Sequence, residues 1–161
     1  MRLDDRDLKI LSVLQTEGRI TKTELAARVN LSPTPCWERL KKLEDAGVIT
    51  GYSAQISLTL LGPLSIIFME AEISSHRAED FERFESAVEN IPEIVECWAV
   101  GGGIDYMLKF TCNDVDSYQR RVDEMLQADI GLKRYFSYVV TKPVKGLPTP
   151  ALTAFAKSAD R

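Results

Sequence analysis

The first 56 residues carry three runs of apolar positions at helical spacing. Leu8, Leu11 and Leu14 predict a helix over about residues 4–17, with aspartates at its positive end. A second helix is predicted after Thr21, because Thr21-Lys22-Thr23-Glu24 has the pattern of a capping box. Its apolar side comprises Leu25, Ala26 and Val29.

A third helix follows a short polar turn, and Cys36, Leu40 and Leu43 form its apolar stripe. Two starts are compatible with its sequence: Ser32 as cap before Pro33, or Thr34 as cap before Pro35. A residue before proline avoids the helical region, which favours the Thr34 start. Gly47 is expected to end the helix in a left-handed conformation.

The arrangement of the second and third helices is typical of a helix-turn-helix. Arg39, Lys41 and Lys42 lie off the apolar stripe of the third helix, with Glu38 among them. Residues 48–56 suggest a strand that packs back on the helices. A generic three-helix bundle is the alternative, but the capping signals, the turn length and the basic third helix favour DNA binding.

Residues 64–141 have a different order of elements. Alternating apolar positions predict strands near residues 67–73, 94–100, 104–111 and 132–140. Two amphipathic helices are predicted between them, marked by these residues: Phe81, Phe84, Val88, Ile91; Val115, Tyr118, Val122, Met125. The order βαββαβ is the ferredoxin-like pattern.

A four-stranded sheet with both helices on one face leaves its other face bare. Phe68, Trp98, Tyr106 and Phe136 are candidates either for that face or for the helix-covered core. An exposed apolar sheet of this size is expected to be covered by a second copy of the chain.

Composition narrows the class of protein. The 161 residues, 45% hydrophobic and 27% charged, are typical of a soluble protein of one or two small domains, and no apolar run is long enough to span a membrane. Residues 1–62 are nearly neutral, with nine basic and eight acidic residues, so the net charge of −4 belongs to the second part. The three cysteines and the absence of a signal-like start favour a reduced, cytoplasmic location.

Specific residues carry a resemblance to a known family. Leu31-Ser-Pro-Thr-Pro-Cys36, Glu38-Arg39, Leu43-Glu44, Gly47, Ile49 and Gly51-Tyr52 strongly resemble the Lrp/AsnC, or feast/famine, family of transcription regulators. The resemblance implies a third helix that enters the major groove of DNA and a second domain that dimerises and senses a small molecule. Further assembly into tetramers or octamers is also implied. We expect the DNA-binding residues to be Thr21, Lys22, Ser32, Thr34, Glu38, Arg39, Lys41 and Lys42.

A glycine-rich stretch is the candidate effector site. Successive glycines expose backbone N–H groups that can hold a carboxylate, and an acid beside them could pair with an ammonium group. A flexible hairpin turn is the simpler interpretation. Gly102, Asp105 and Tyr106 match the loop at which family members bind amino acids, whereas Gly103 and Ile104 depart from it. The expected effector residues are Gly101, Gly102, Gly103, Ile104, Asp105 and Tyr106.

The sequence thus predicts an α+β chain: a winged helix-turn-helix domain (1–56), a linker (57–63), a ferredoxin-like effector-binding and oligomerisation domain (64–141) and a tail (142–161). The expected function is sequence-specific transcription regulation that responds to an amino acid or related metabolite. No enzyme activity, cofactor, metal or membrane partner is expected; the single histidine, His76, makes a histidine-based site improbable. Two alternatives are a small enzyme on a ferredoxin-like sheet and a protein-interaction module without DNA binding.

Overall fold

The chain divides into two compact units. The computed structural model describes residues 2–57 and 62–145. One unit runs to Gln55 and the other spans Ile56–Val144. Most of the predicted linker and tail, residues 58–61 and 146–161, lies outside the described residues.

Three helices make up the first unit: α1 (Asp5–Thr16), α2 (Lys22–Arg28) and α3 (Pro33–Asp45). The predicted cap of α2 is present, and α1 begins with a cap at Asp4 that was expected only as one of the aspartates at the helix start. The Asp4 side chain accepts hydrogen bonds from the N–H groups of Arg6 and Asp7, and the Thr21–Glu24 capping box begins α2. One apolar cluster joins the helices, and it includes Ile10, Leu11, Leu25, Ala26, Val29, Cys36, Leu40 and Leu43.

The start of α3 differs from the one we favoured. The N-cap is Ser32, with Pro33 as the first helical residue, so the preference for Thr34 and Pro35 was wrong. The first backbone bond of the helix runs from the Cys36 N–H to the Ser32 carbonyl. Both prolines therefore lie in the first turn, where the absent N–H groups leave no helical bond unmade.

Each helix of the helix-turn-helix is followed by a residue in the left-handed conformation. Asn30, at φ 55°, ends α2, and Gly47, at φ 67°, ends α3 as predicted. After α3, the N–H groups of Gly47 and Val48 donate to the carbonyls of Glu44 and Leu43, the pattern of a Schellman motif. These bonds fix where each helix stops and how the chain leaves it.

The strand expected within residues 48–56 is absent: in the described residues between α3 and the first sheet strand, no strand is found. Ile49 packs against the helical cluster, but Tyr52 and Ile56 are 53% and 72% exposed. Tyr52 instead donates its hydroxyl hydrogen bond to Glu44 at 2.7 Å. A single strand without a neighbour leaves its backbone groups unpaired, so the apolar pattern alone does not make one.

The second unit has the predicted ferredoxin-like order. Its strands are β1 (Ser65–Ile73), β2 (Ile94–Ala99), β3 (Tyr106–Cys112) and β4 (Leu132–Val139). They form one antiparallel sheet in the order β2-β3-β1-β4. Helices α4 (Ala78–Glu89) and α5 (Val115–Gln127) connect β1 to β2 and β3 to β4.

Both helices cover the same face of the sheet. The alternating positions Ile67, Met69, Ala71 and Ile73 of β1 are buried there, as predicted. From the helices, Phe84, Val88, Tyr118, Val122 and Met125 join this core. Val115 does not, because it is the first residue of α5 and is 47% exposed.

The register assigns the four aromatic residues that the sequence left open. Tyr106 lies in the helix-covered core, at 3% exposure. Phe68 alternates with the buried residues of β1, and it and its cross-strand partner Tyr138 therefore lie on the other face. The same alternation places Phe136 and Trp98 on that open face, where they are 48% and 44% exposed.

Candidate functional site

The helix α3 presents a polar face opposite its buried stripe. Cys36, Leu40 and Leu43 point into the core, and the predicted residues Thr34, Glu38, Lys41 and Lys42 are exposed on the outer side. Within the described part of the chain, neither Lys41 nor Lys42 has an acidic partner within ion-pair distance. Two cations on a helix face that is otherwise accessible are available to phosphates or base edges.

Arg39 occupies a different environment from the lysines. One of its guanidinium nitrogens, Nη1, lies 2.7 Å from carboxylate oxygens of both Asp4 and Asp7. Asp7 is a buried acidic residue, with 8% of its side chain exposed, and it also accepts the N–H of Asp4. The hydrogen bond from the N–H of Asp7 lowers the pKa of Asp4, and the hydrogen bond and charge of Arg39 lower it further. Arg39 therefore ties α3 to the start of α1.

The other predicted DNA-binding residues also differ in whether the side chain bonds within the protein or is available. Thr21 uses its hydroxyl within the cap of α2, where it donates to Glu24 at 2.7 Å. Ser32 is exposed and makes no side-chain hydrogen bond as the cap of α3, so its hydroxyl is available. Of the eight predicted residues, Thr34, Glu38, Lys41 and Lys42 are exposed on α3, and Ser32 is exposed at its N-cap.

A contact that the sequence did not reveal lies between α2 and α3. The ammonium nitrogen of Lys22 lies 3.1 Å from the ring centroid of Trp37, a cation–π pair. Trp37 is 38% exposed. The available signal was a large aromatic residue one position off the apolar stripe of α3, where a polar side chain is usual.

The glycine-rich loop joins β2 to β3 and is exposed at Gly101, Gly102 and Gly103. Only Gly102, at φ 143°, has a backbone conformation that disfavours other residues. A Cβ atom on any of the three would meet nothing within 4 Å. Among the described residues, none of their N–H groups donates to a backbone carbonyl. Gly101 and Gly103 are thus not required by the fold.

Asp105 holds the end of this loop against β1. Its Oδ2 accepts the N–H of Ile73 at 2.8 Å, and its Oδ1 lies 3.1 Å from His76 Nε2. The side chain remains 17% exposed. A carboxylate offers about four acceptor positions, so these two contacts leave room for another donor.

Tyr106 and Ile104 are less accessible than the glycines. Tyr106 donates its hydroxyl hydrogen bond to Glu85 at 2.6 Å and packs on Phe84 at 4.7 Å between ring centroids. Burial, followed by the Glu85 carboxylate, raises the pKa of Tyr106 above its usual range. Ile104 is half-buried. The loop therefore offers backbone groups and one carboxylate rather than a set of free polar side chains.

Other kinds of site are not found in the residues that the structure describes. No group of three or more His, Cys, Asp or Glu side chains is placed to hold a metal ion there. In those same residues, no helix has the length and apolar character needed to cross a membrane.

Comparisons with known proteins match both units. A profile described as winged helix-turn-helix DNA-binding matches residues 3–50, and one described as the Lrp/AsnC ligand binding domain matches residues 66–150. The transcriptional regulatory protein DoeX of Halomonas elongata is 51% identical over 145 residues, which cover 90% of this chain and 92% of that protein. The chain belongs to the Lrp/AsnC family. It is a DNA-binding transcription regulator.

Further Lrp/AsnC relatives match this chain over most of its length. The leucine-responsive regulatory protein of Escherichia coli is 40% identical over 143 residues, covering 89% of this chain and 87% of that protein. A transcriptional regulator of Neisseria meningitidis, solved in complex with L-methionine, has a TM-score of 0.84 and 37% identity. That match covers 93% of this chain and 99% of the other. The ferredoxin-like fold and the regulatory class are both confirmed.

Proposed function

We propose that this regulator binds a two-fold symmetric operator with the exposed face of α3 in the major groove. The observation that carries the proposal is the pair Lys41 and Lys42, which are exposed and unpaired within the described residues. Thr34 and Glu38 share this side of α3, Ser32 is exposed at its N-cap, and these three residues set the register on the duplex. In a helix-turn-helix the second helix of the motif reads base edges, and flanking cations bind phosphates.

Arg39, Thr21 and Lys22 have supporting roles in this proposal. Arg39 fixes α3 against Asp4 and Asp7, and Thr21 caps α2. Lys22 is exposed, and its ammonium group lies over the Trp37 ring of α3. From the sequence, Arg39 was expected to contact DNA directly. In this proposal Arg39 affects DNA affinity only by holding α3 in place.

The DNA-binding surface is tested with a duplex that the purified protein selects from a random library, here called the selected operator. Replacing both Lys41 and Lys42 by Ala should weaken binding to the selected operator and to random DNA. It should also flatten the dependence of log affinity on log salt by about 1 for each phosphate that is no longer neutralised. Arg120→Ala removes an exposed cation of α5 and is the matched control. Equal binding by all three proteins would contradict this surface.

We also propose that two copies associate through the open face of the sheet. That face exposes the aromatic side chains Trp98, Phe136 and Tyr138, and exposed apolar side chains on one sheet face are typical of a protein–protein contact. A two-fold axis there would pair two α3 helices for a symmetric operator. Trp98→Glu should dissociate the dimer at micromolar concentration, as measured by light scattering. Val115→Glu changes an equally exposed apolar residue of α5 and should leave the mass unchanged.

The effector in this proposal is an amino acid or a close derivative bound at Gly101–Tyr106. Gly101 and Gly103 lack a structural reason to be glycine, which is the pattern of a backbone that a ligand approaches closely. Their N–H groups would hold the carboxylate, and the remaining acceptor capacity of Asp105 would offset the ammonium charge. The leucine-responsive relative and the L-methionine complex support this class of effector.

Calorimetry with a panel of amino acids and derivatives tests the effector site. Gly103→Ala should leave the fold intact, because its Cβ meets nothing, and should weaken binding of the ligand. Asp105→Asn keeps an acceptor for the Ile73 N–H while it removes the charge, so it should reduce ligand affinity without opening the loop. Full affinity in both variants would refute this site.

A coupling free energy of about 1–3 kcal/mol between effector binding and operator binding would change operator affinity about 5–150-fold.

A further inference from the structure

The indole of Trp37 is not explained by the packing of its own unit. The helical core contains the α3 residues Cys36, Leu40 and Leu43, and Trp37 is not one of its buried members. Trp37 is 38% exposed, and the outer face of its helix is otherwise polar, at Thr34, Glu38 and Lys41. A large exposed apolar side chain beside a binding surface is an informative position.

Lys22 restricts the orientation of this indole. Its ammonium nitrogen, 3.1 Å from the centroid, covers one face of the ring, and the pair bridges the first residue of α2 to the fifth residue of α3. A positive charge over the ring keeps the ring at the surface, because burial of the pair would require desolvating the ammonium group. The uncovered part of the indole is therefore presented to whatever α3 binds.

We propose that Trp37 is a specificity residue that contacts the 5-methyl group of a thymine in the operator. Among the groups that base pairs present in the major groove, the thymine methyl is the apolar one. The residues of a recognition helix that contact bases come from its N-terminal part, and Trp37 is in the second turn of α3. Lys22, held on the indole, adds a cation for the adjacent phosphate. This inference rests on the proposed role of α3.

Fluorescence gives a first test in the full-length chain. Trp37 and Trp98 are its two tryptophans, so the Trp98→Phe variant reports on Trp37 alone. Saturation with the selected operator should change the intensity and the wavelength of Trp37 emission, and the same amount of random duplex at high salt should not. An emission spectrum that is identical in free and operator-bound protein would overturn the proposal. Operator binding by Trp98→Phe is checked separately by anisotropy of labelled DNA.

Replacing each thymine of the selected operator in turn by deoxyuridine, which lacks the methyl group, gives the deciding test. With the unmodified protein, one position in each half-site should lose affinity about fourfold, the value of one buried methyl group. In Trp37→Ala that loss should disappear, whereas the effects at other positions should persist. If no thymine is sensitive, or if Trp37→Ala keeps the same sensitive position, another residue reads the sequence and the proposal is wrong.

Lys22→Met separates the two parts of the pair. It should weaken binding to the selected operator and to random DNA, and it should flatten the salt dependence, because it removes a cation that neutralises a phosphate. Thermal melts establish that each variant is folded; if Trp37→Ala does not fold, the fluorescence and the deoxyuridine scan of the unmodified protein still decide. A failure confined to these tests would leave the Lys41 and Lys42 result intact, whereas unchanged binding in that double variant would refute the α3 surface itself.

Discussion

Arg39→Ala is the substitution that best separates a structural from a DNA-contacting arginine. In the structure, Arg39 Nη1 lies 2.7 Å from both Asp4 Oδ2 and Asp7 Oδ1. Without the guanidinium, the buried Asp7 carboxylate keeps the Asp4 N–H as a partner but stays beside a second negative charge. We therefore expect the variant to lose stability in the first unit before any DNA is added.

The size of the loss follows from how buried the three side chains are. Removing one partner of a fully buried ion pair costs about 3–5 kcal/mol. The Asp7 side chain is 8% exposed, but Arg39 is 30% and Asp4 is 51% exposed, so water screens part of the interaction. We expect a loss of about 2 kcal/mol, which for a unit of this size lowers the melting temperature by about 10 °C.

The assay is thermal unfolding followed by Trp37 emission in the Trp98→Phe background, because Trp37 belongs to the helical unit. Arg28→Ala is the matched control, since it removes an arginine whose ion pair with Glu17 is exposed on both sides. Its midpoint should barely move. If Arg28→Ala and Arg39→Ala shift the midpoint equally, or if neither shifts it, the ion pairs of Arg39 with Asp4 and Asp7 do not stabilise the unit as expected.

Three further results are expected from the first unit and the sheet. The Asp7 N–H holds the pKa of Asp4 below its ordinary 3.8, so its contribution to stability is complete above about pH 4 and is lost as the pH falls; acid unfolding should be flatter in Asp4→Asn. Gly47→Ala should lose about 1 kcal/mol in urea unfolding because of φ 67°, whereas Gly51→Ala should not. Burial raises the pKa of Cys97 to about 11, so iodoacetamide at pH 8 should modify this thiol only after unfolding.

Local signals in the sequence predicted most of the fold. The aspartates at the start of α1, capping by Thr21, the left-handed Gly47 and the alternating burial of β1 each depend on residues a few positions apart, and all are present in the structure. The predicted start of α3 was wrong because the preference of a residue before proline was considered without the hydrogen-bond pattern of the helix. In the first turn, two prolines cost no hydrogen bond.

The site was harder to predict because its contacts are distant in sequence. Spacing along α3 shows that Arg39 is off the apolar stripe, but not that it meets Asp7, 32 positions earlier. Likewise, Asp105 receives the N–H of Ile73 from a neighbouring strand, a contact that only the sheet register creates. Lys41 and Lys42 are exposed and have no ion-pair partner among the described residues, and helical spacing alone predicts that exposure.

The most direct measurement is a hydroxyl-radical footprint of the full-length protein on the selected operator. We expect two symmetry-related patches of protected backbone, with centres about 10 base pairs apart or a multiple of that distance. At the same concentration, protection should disappear when Lys41 and Lys42 are both replaced by Ala, and it should be retained in Arg120→Ala. Failure to enrich any sequence from the library, or unchanged protection in the double variant, would contradict DNA recognition through α3.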